Sequence, residues 1–183
     1  RGVIHRNLSS SNIYIKKILI DDETDKYEII PIITNFVHSH LISRNSILGM
    51  TNIHTTKSLS SFIAPELTNN PNYNEKVDVF AFSGILYELL TDHSPCEEMG
   101  GGNIWLKIKD NQRPNIPNYC SEKLKKLIES CWDQTPTKRP SFEQIIKFML
   151  PKDGQEMIIF ESDKSNSEPI KKFYQQFIIN SSS

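Results

Sequence analysis

Residues 76–91 read KVDVFAFSGILYELLT, and apolar side chains surround almost the whole turn of a helix drawn through them. A helix apolar on nearly every side is buried on most of them, so this stretch is expected at the centre of the fold. Beyond it, Gly100-Gly101-Gly102 and the Pro-bearing residues 113–117 mark loops on either side of a short helix near 103–109. Ser121 starts a helix reaching about Trp132, with apolar residues at 124, 127, 128 and 131 in helical spacing. Ser141 caps another over 142–149, with Phe142, Ile145, Ile146 and Met149 on one side, and Pro151 ends it.

Toward the N-terminus the pattern changes. Residues 13–20 (IYIKKILI) and 27–34 (YEIIPIIT) are rich in β-branched and aromatic types and flank a polar turn, residues 21–26, which predicts a hairpin. Residues 35–63 are rich in Ser, Thr, Asn and His without a sustained period and read as a long loop, of a kind that is usually functional or mobile. Residues 151–183 form a polar tail, expected to be partly disordered, with one weakly amphipathic stretch (EPIKKFYQQFII). The expected fold class is α+β: one domain over 1–150, mainly helical with a short hairpin, followed by the tail.

The formal net charge is −1, from 21 basic and 22 acidic side chains, and no long block of one sign stands out. Neither nucleic acid nor a membrane surface is implied as a partner. No apolar run approaches the roughly 20 residues of a membrane span. Three cysteines with no CxxC spacing fit a reducing compartment, cytoplasm or nucleus, better than a disulfide framework. The histidines and cysteines form no cluster with zinc-ligand spacing. The first residue is Arg1 rather than Met, so the sequence is expected to continue upstream.

Five short motifs stand in a fixed order. They are His5-Arg6-Asn7-Leu8-Ser9-Ser10-Ser11-Asn12; Asn35-Phe36-Val37 at the end of the hairpin; Ala64-Pro65-Glu66; Asp78 through Gly84 at the start of the central helix; and Cys131-Trp132, Pro136, Lys138-Arg139-Pro140-Ser141-Phe142. Each is weak alone. Together, with helices between them, they resemble the C-terminal lobe of a protein kinase of the tyrosine-kinase-like or tyrosine-kinase group, in degenerate form. The resemblance covers about 1–149, and implies a protein-kinase-like fold whose N-terminal lobe is absent from this sequence. No Gly-rich loop that would cradle phosphates is present.

The resemblance implies a role for each matching position. Asn7 stands where the family has the catalytic Asp, and a neutral amide is no general base near pH 7; such assistance is typically worth about 10²–10⁴-fold. Asn12 matches the second metal position and is kept, though an Asn there also serves simply to hydrogen-bond its own loop. Asn35 replaces the Asp that holds Mg²⁺, a hard cation normally bound through carboxylates and phosphates. Val37 replaces a Gly and is expected to resist glycine-like backbone angles. Tyr14 falls beneath the family's adenine site, where its ring either intrudes on nucleotide or points elsewhere, and Thr34 precedes Asn35 there. Leu59 replaces a Thr that partners the catalytic Asp, and Ser9 replaces a residue that is often Lys. Phe36 is read most simply as a core aromatic, and with His5 it matches a stack of apolar side chains that spans the lobes.

The scaffold positions are kept. Glu66 and Arg139 match a buried ion bridge, for which the planar guanidinium fork is suited. Asp78 matches a carboxylate that anchors the catalytic-loop backbone; between Val77 and Val79 it needs partners if buried. The expectation is therefore a pseudokinase that transfers no phosphate, requires no cofactor although its family uses ATP and Mg²⁺, and binds or scaffolds a protein partner. Two alternatives stand beside it: a weakly active kinase completed by upstream sequence, and a truncated or decayed gene product.

Overall fold

A computed structural model describes residues 2–21, 26–41, 61–68 and 73–149. The hairpin turn, Leu59 and the tail lie outside the described residues. The chain begins with β1 (Val3–Ile4), followed by the antiparallel hairpin β2 (Ile13–Asp21) and β3 (Lys26–Ile33). A short β4 (His40–Leu41) pairs antiparallel with β1, Val3 opposite Leu41 and Ile4 opposite His40. Among the described residues five α-helices follow: α1 (Lys76–Thr91), α2 (Pro95–Glu98), α3 (Ile104–Lys109), α4 (Glu122–Cys131) and α5 (Phe142–Met149).

The central helix is buried as its composition requires. Val77, Val79, Phe80, Leu86, Tyr87 and Leu90 of α1 share one core with Ile104 and Ile108 of α3 and with Leu124, Leu127, Ile128 and Cys131 of α4. Each fully buried Val, Leu, Ile or Phe contributes about 1.5–3 kcal/mol. Two hydroxyls on this buried helix are satisfied within it, Ser83 Oγ donating to the Phe80 carbonyl at 2.6 Å and Thr91 Oγ1 to that of Tyr87 at 2.9 Å. Gly84 lets Phe62 approach the helix closely, since a Cβ there would stand 2.8 Å from Cδ1 of Phe62. The helix stops at Asp92, which takes the left-handed conformation (φ 61°) and returns its N–H to the Glu88 carbonyl.

Local chemistry accounts for the other helix starts. Ser121, Asn103 and Ser141 each accept a backbone N–H three residues on, from Leu124, Leu106 and Gln144. Ser94 and Glu97 form a reciprocal capping box that starts α2, with Pro95 in its first turn.

Two expectations are corrected. Ile146 does not join the apolar side of α5: it is 55% exposed while Ile145 is buried. Residues 142, 145 and 149 define the buried stripe, and Ile146 lies about 100° further round the helix than Ile145. The stretch 35–63 is not wholly a loop, because it opens with a 3₁₀ turn (Phe36–His38) and then β4. A two-residue strand has no period to read, and its partner β1 lies far away in sequence.

Candidate functional site

The segment joining β1 to β2 holds the first motif, and the start of α1 fixes it. Oδ2 of Asp78 accepts the backbone N–H of His5 at 2.6 Å and Oδ1 accepts that of Arg6 at 2.8 Å. Burial pushes the Asp78 carboxyl up from its ordinary 3.8, and the two backbone N–H groups hold it partly back down. Arg6 between them is left-handed (φ 64°), an unusual conformation for a non-glycine residue. Its guanidinium donates to the Tyr73 hydroxyl at 2.6 Å and to the His38 carbonyl.

His5 ties the loop to the end of β3. Its Nε2 donates to the Thr34 carbonyl at 2.8 Å, while Nδ1 accepts the N–H of Asn7 at 3.3 Å, and the Nε2–H tautomer serves both. Phe36 meets the imidazole edge-on, with ring centroids 4.8 Å apart. The reading of Phe36 as a core aromatic is corrected here: the ring is 53% exposed, and His5 covers one side of it.

Asn7, Asn12 and Asn35 come together at this face. Asn12 Nδ2 donates to the Asn7 carbonyl at 2.6 Å, which leaves Asn12 Oδ1 as an acceptor, and Asn35 Nδ2 donates to it at 3.2 Å. The Asn12 carbonyl accepts the N–H and the Oγ1 hydroxyl of Thr34 at 2.9 and 3.1 Å. Asn35 itself adopts the left-handed region (φ 62°, ψ 54°), which Asn tolerates better than most residues. Val37 was expected to resist glycine-like angles, but no such angle falls on it: it sits in the 3₁₀ turn, 84% exposed. Tyr14, opposite Ile32 on the hairpin, is 64% exposed.

This donor set fits Mg²⁺ poorly. It offers neutral amides and no carboxylate, and the one Asn12 oxygen suited to a cation already accepts a hydrogen bond. Among the described residues no group of three His, Cys, Asp or Glu side chains is placed to hold a metal ion. No helix among them is long and apolar enough to cross a membrane.

Away from this face, Glu66 and Arg139 form a two-bond fork, Nη1 to Oε1 at 2.6 Å and Nη2 to Oε2 at 2.9 Å. Arg139 is 2% exposed, and it also donates to the carbonyls of Asp133 and Lys76. Its guanidinium lies 4.9 Å from the Phe80 ring centre, and that of Arg113 lies 5.1 Å from it. Arg113 holds the Trp132 carbonyl through Nε and Nη2, and burial together with neighbouring Arg139 draws its pKa down to about 10. Arg6, Tyr73, Phe80 and Arg113 are the residues of this framework that the sequence reading assigns no role. A lone Arg in a polar loop carries no local signal that it will hold distant carbonyls.

A mainly helical body with two small sheets, its first loop pinned by a carboxylate from the central helix, is compatible with a protein-kinase-like fold. The family described as protein tyrosine and serine/threonine kinase matches residues 1–149. The chain belongs to that family. It is 33% identical over 151 residues to a probable serine/threonine-protein kinase of Dictyostelium discoideum, covering 81% of this chain and 10% of that protein. A probable LIM domain-containing serine/threonine-protein kinase of the same organism is 36% identical over 146 residues, covering 79% of this chain and 13% of that protein. A dual specificity protein kinase, also from Dictyostelium discoideum, is 34% identical over 145 residues, with 79% and 10% covered. The chain thus spans about a tenth of the length of these relatives.

Proposed function

We propose that this kinase-family chain is a pseudokinase of the tyrosine-kinase-like group, one that transfers no phosphate and serves as a binding or scaffolding module for a protein partner in the cytoplasm or nucleus. The observation that carries the reading is the hydrogen bond from Asn35 Nδ2 to Asn12 Oδ1. A carboxylate at 35 has no proton to donate, so this closed amide pair depends on the replacement. With Asn7 in place of the family's Asp, the amide cluster offers no carboxylate to serve as general base or as anionic metal ligand. The anchored scaffold around it supports a role that needs the fold without the chemistry.

The test is incubation of the longest natural form of the protein with radiolabelled ATP and Mg²⁺ or Mn²⁺. No labelled peptide or autophosphorylated product is expected. Turnover that disappears on Asn12→Ala would overturn the reading. Calorimetry with ATP should likewise show no binding near micromolar, about −8 kcal/mol.

Two observations favour a second reading, a weakly active kinase: Asn12 is retained, and the relatives bear the names of serine/threonine and dual specificity kinases. The same assay separates the two.

A further inference from the structure

Between α4, the 3₁₀ turn Pro136–Lys138 and α5 lies a cavity of about 500 Å³. Basic side chains line it and no Asp or Glu does. Arg139 is already committed, since its guanidinium holds Glu66 and the carbonyls of Asp133 and Lys76. Lys126 of α4 and Lys138 of the turn are not: both are exposed, and neither joins an ion pair among the described residues. Glu122 and Glu129 stand four residues before and three after Lys126, spacings that permit pairing on a helix, yet neither takes it. Nor is the positive lining a by-product of a basic chain, because the net charge is −1.

Two neutral donors join the two ammonium groups. Gln144 of α5 accepts the Ser141 N–H on Oε1 at 2.7 Å, which leaves its Nε2 to donate. Thr137 is exposed, and its hydroxyl has no hydrogen-bond partner among the described residues. Cations and donors from three elements, around a space without carboxylates, select an oxyanion. The charge decides which one. A phosphate monoester carries about −1.5 to −2 at pH 7 and balances two ammonium groups, whereas a single carboxylate leaves one of them unbalanced. The cavity is also larger than a lone phosphate needs, since spaces of about 300–1,000 Å³ hold drug-sized molecules. Phe148, 52% exposed on the last turn of α5, gives the extra space an apolar edge.

We propose that this cavity binds a phosphorylated segment of a protein partner. Lys126 and Lys138 meet the phosphate, Gln144 Nε2 and the Thr137 hydroxyl donate to it, and Phe148 packs against a neighbouring side chain of the segment. The site shares no residue with the amide cluster. It rests on the scaffolding reading only for the existence of a protein partner, and it holds whether or not the chain transfers phosphate.

Titration of the full chain with the capped tripeptide leucyl-phosphothreonyl-leucine, followed by amide NMR, tests this. The Lys138 and Gln144 signals should shift and saturate, with half-saturation at or below about 1 mM in low salt. The unphosphorylated tripeptide should bind at least about tenfold more weakly, having lost its charge-assisted bonds. Lys126→Ala with Lys138→Ala removes two exposed side chains and should weaken the phosphopeptide by at least about tenfold while leaving the α1 signals in place. No saturable shift in the parent overturns the proposal. So does equal binding of the unphosphorylated peptide, or binding that the double variant leaves unchanged, which would place the peptide elsewhere. Inorganic phosphate that binds as tightly as the tripeptide overturns the partner segment as the ligand. Vesicles of phosphatidylcholine and phosphatidylinositol phosphate that bind in the tripeptide's place overturn it as well, moving the site to a membrane surface. Turnover of radiolabelled ATP would sink the pseudokinase reading and leave each of these outcomes as it is.

Discussion

Asn35 donates its side-chain amide to Asn12 Oδ1 at 3.2 Å, across 23 positions of sequence. Because Asn12 Nδ2 is already committed to the Asn7 carbonyl at 2.6 Å, the orientation of both amides is fixed by the network itself. The bond is exposed, so its net worth is of the usual order, about 0.5–1.5 kcal/mol. Its chemical consequence is larger, since it occupies an oxygen that a cation would need.

Asn35→Asp is expected to reverse that relationship. The carboxylate would face the Asn12 oxygen, acceptor against acceptor, and the unfolding midpoint in chelator should fall slightly. Millimolar Mn²⁺ should then raise the variant's midpoint, because an anionic ligand now stands beside Asn12, while the parent's midpoint should not move. Thermal melts with and without metal decide it. A parent that responds to Mn²⁺ as strongly as the variant would show that the amide pair does not close the site.

Much of the body is legible from composition alone. An apolar run such as 76–91 is a burial signal that needs no partner information, and Ser121 and Ser141 announce helix starts through short-range capping. The signal for α2 is also present, in Ser94-Pro95-Cys96-Glu97, but a four-residue helix shows no period and is easily passed over. The site is different. Nothing in spacing or composition joins Glu66 to Arg139, 73 positions away, or His5 to Asp78; the family resemblance alone brings these pairs together. Not even that resemblance indicates the Asn12–Asn35 bond or the two guanidinium groups beside Phe80. Side-chain geometry creates those contacts after the chain has folded.

The Glu66–Arg139 fork sets the second stability prediction. Removing one member of a buried pair strands the other and costs about 3–5 kcal/mol. Arg139→Ala should lie at the upper end, because Arg139 also supports two backbone carbonyls and packs beside Phe80. Glu66→Ala should cost less, and adding it to Arg139→Ala should change little further, since it removes the very charge that Arg139→Ala strands. Arg139→Lys keeps the charge but not the two-bond fork and should remain well below the parent. Urea midpoints that match the parent's for both single alanine variants would dismiss the pair as structural.

Thiol chemistry gives a pH-dependent test. Burial pushes Cys120 from 9.0 up to about 11 and Cys131 from 9.0 up to about 12. Both should stay protonated and unreactive toward a thiol reagent at pH 8, while the partly exposed Cys96 reacts. The folded state holds these two protons more tightly than the unfolded chain does. Their contribution to stability is therefore complete below about pH 9 and is lost as pH rises through 11 to 12. Quantitation by mass spectrometry should find one fast thiol in the native chain and three in denaturant. Three fast thiols at pH 8 without denaturant would contradict the burial.

The anchor at Asp78 offers the sharpest isosteric test. Its two oxygens each accept a backbone N–H, from His5 at 2.6 Å and Arg6 at 2.8 Å, and the residue is 5% exposed. Asp78→Asn keeps the shape but replaces one acceptor with an NH₂ group. Whichever way the amide turns, one backbone N–H then faces a donor, and a stranded buried donor costs about 1–3 kcal/mol. The loop also has a conformation to hold, because left-handed geometry at Arg6 is disfavoured by roughly 1–2 kcal/mol for a residue with a side chain. With the anchor weakened, Arg6 is expected to relax and to release the Tyr73 hydroxyl it holds at 2.6 Å. Two readouts follow: a lower urea midpoint, and faster exchange of the His5 and Arg6 amides than that midpoint alone explains. If Asp78→Asn matches the parent in both, the carboxylate does not hold the loop, and the arrangement of His5, Asn7 and Asn12 must be fixed from elsewhere.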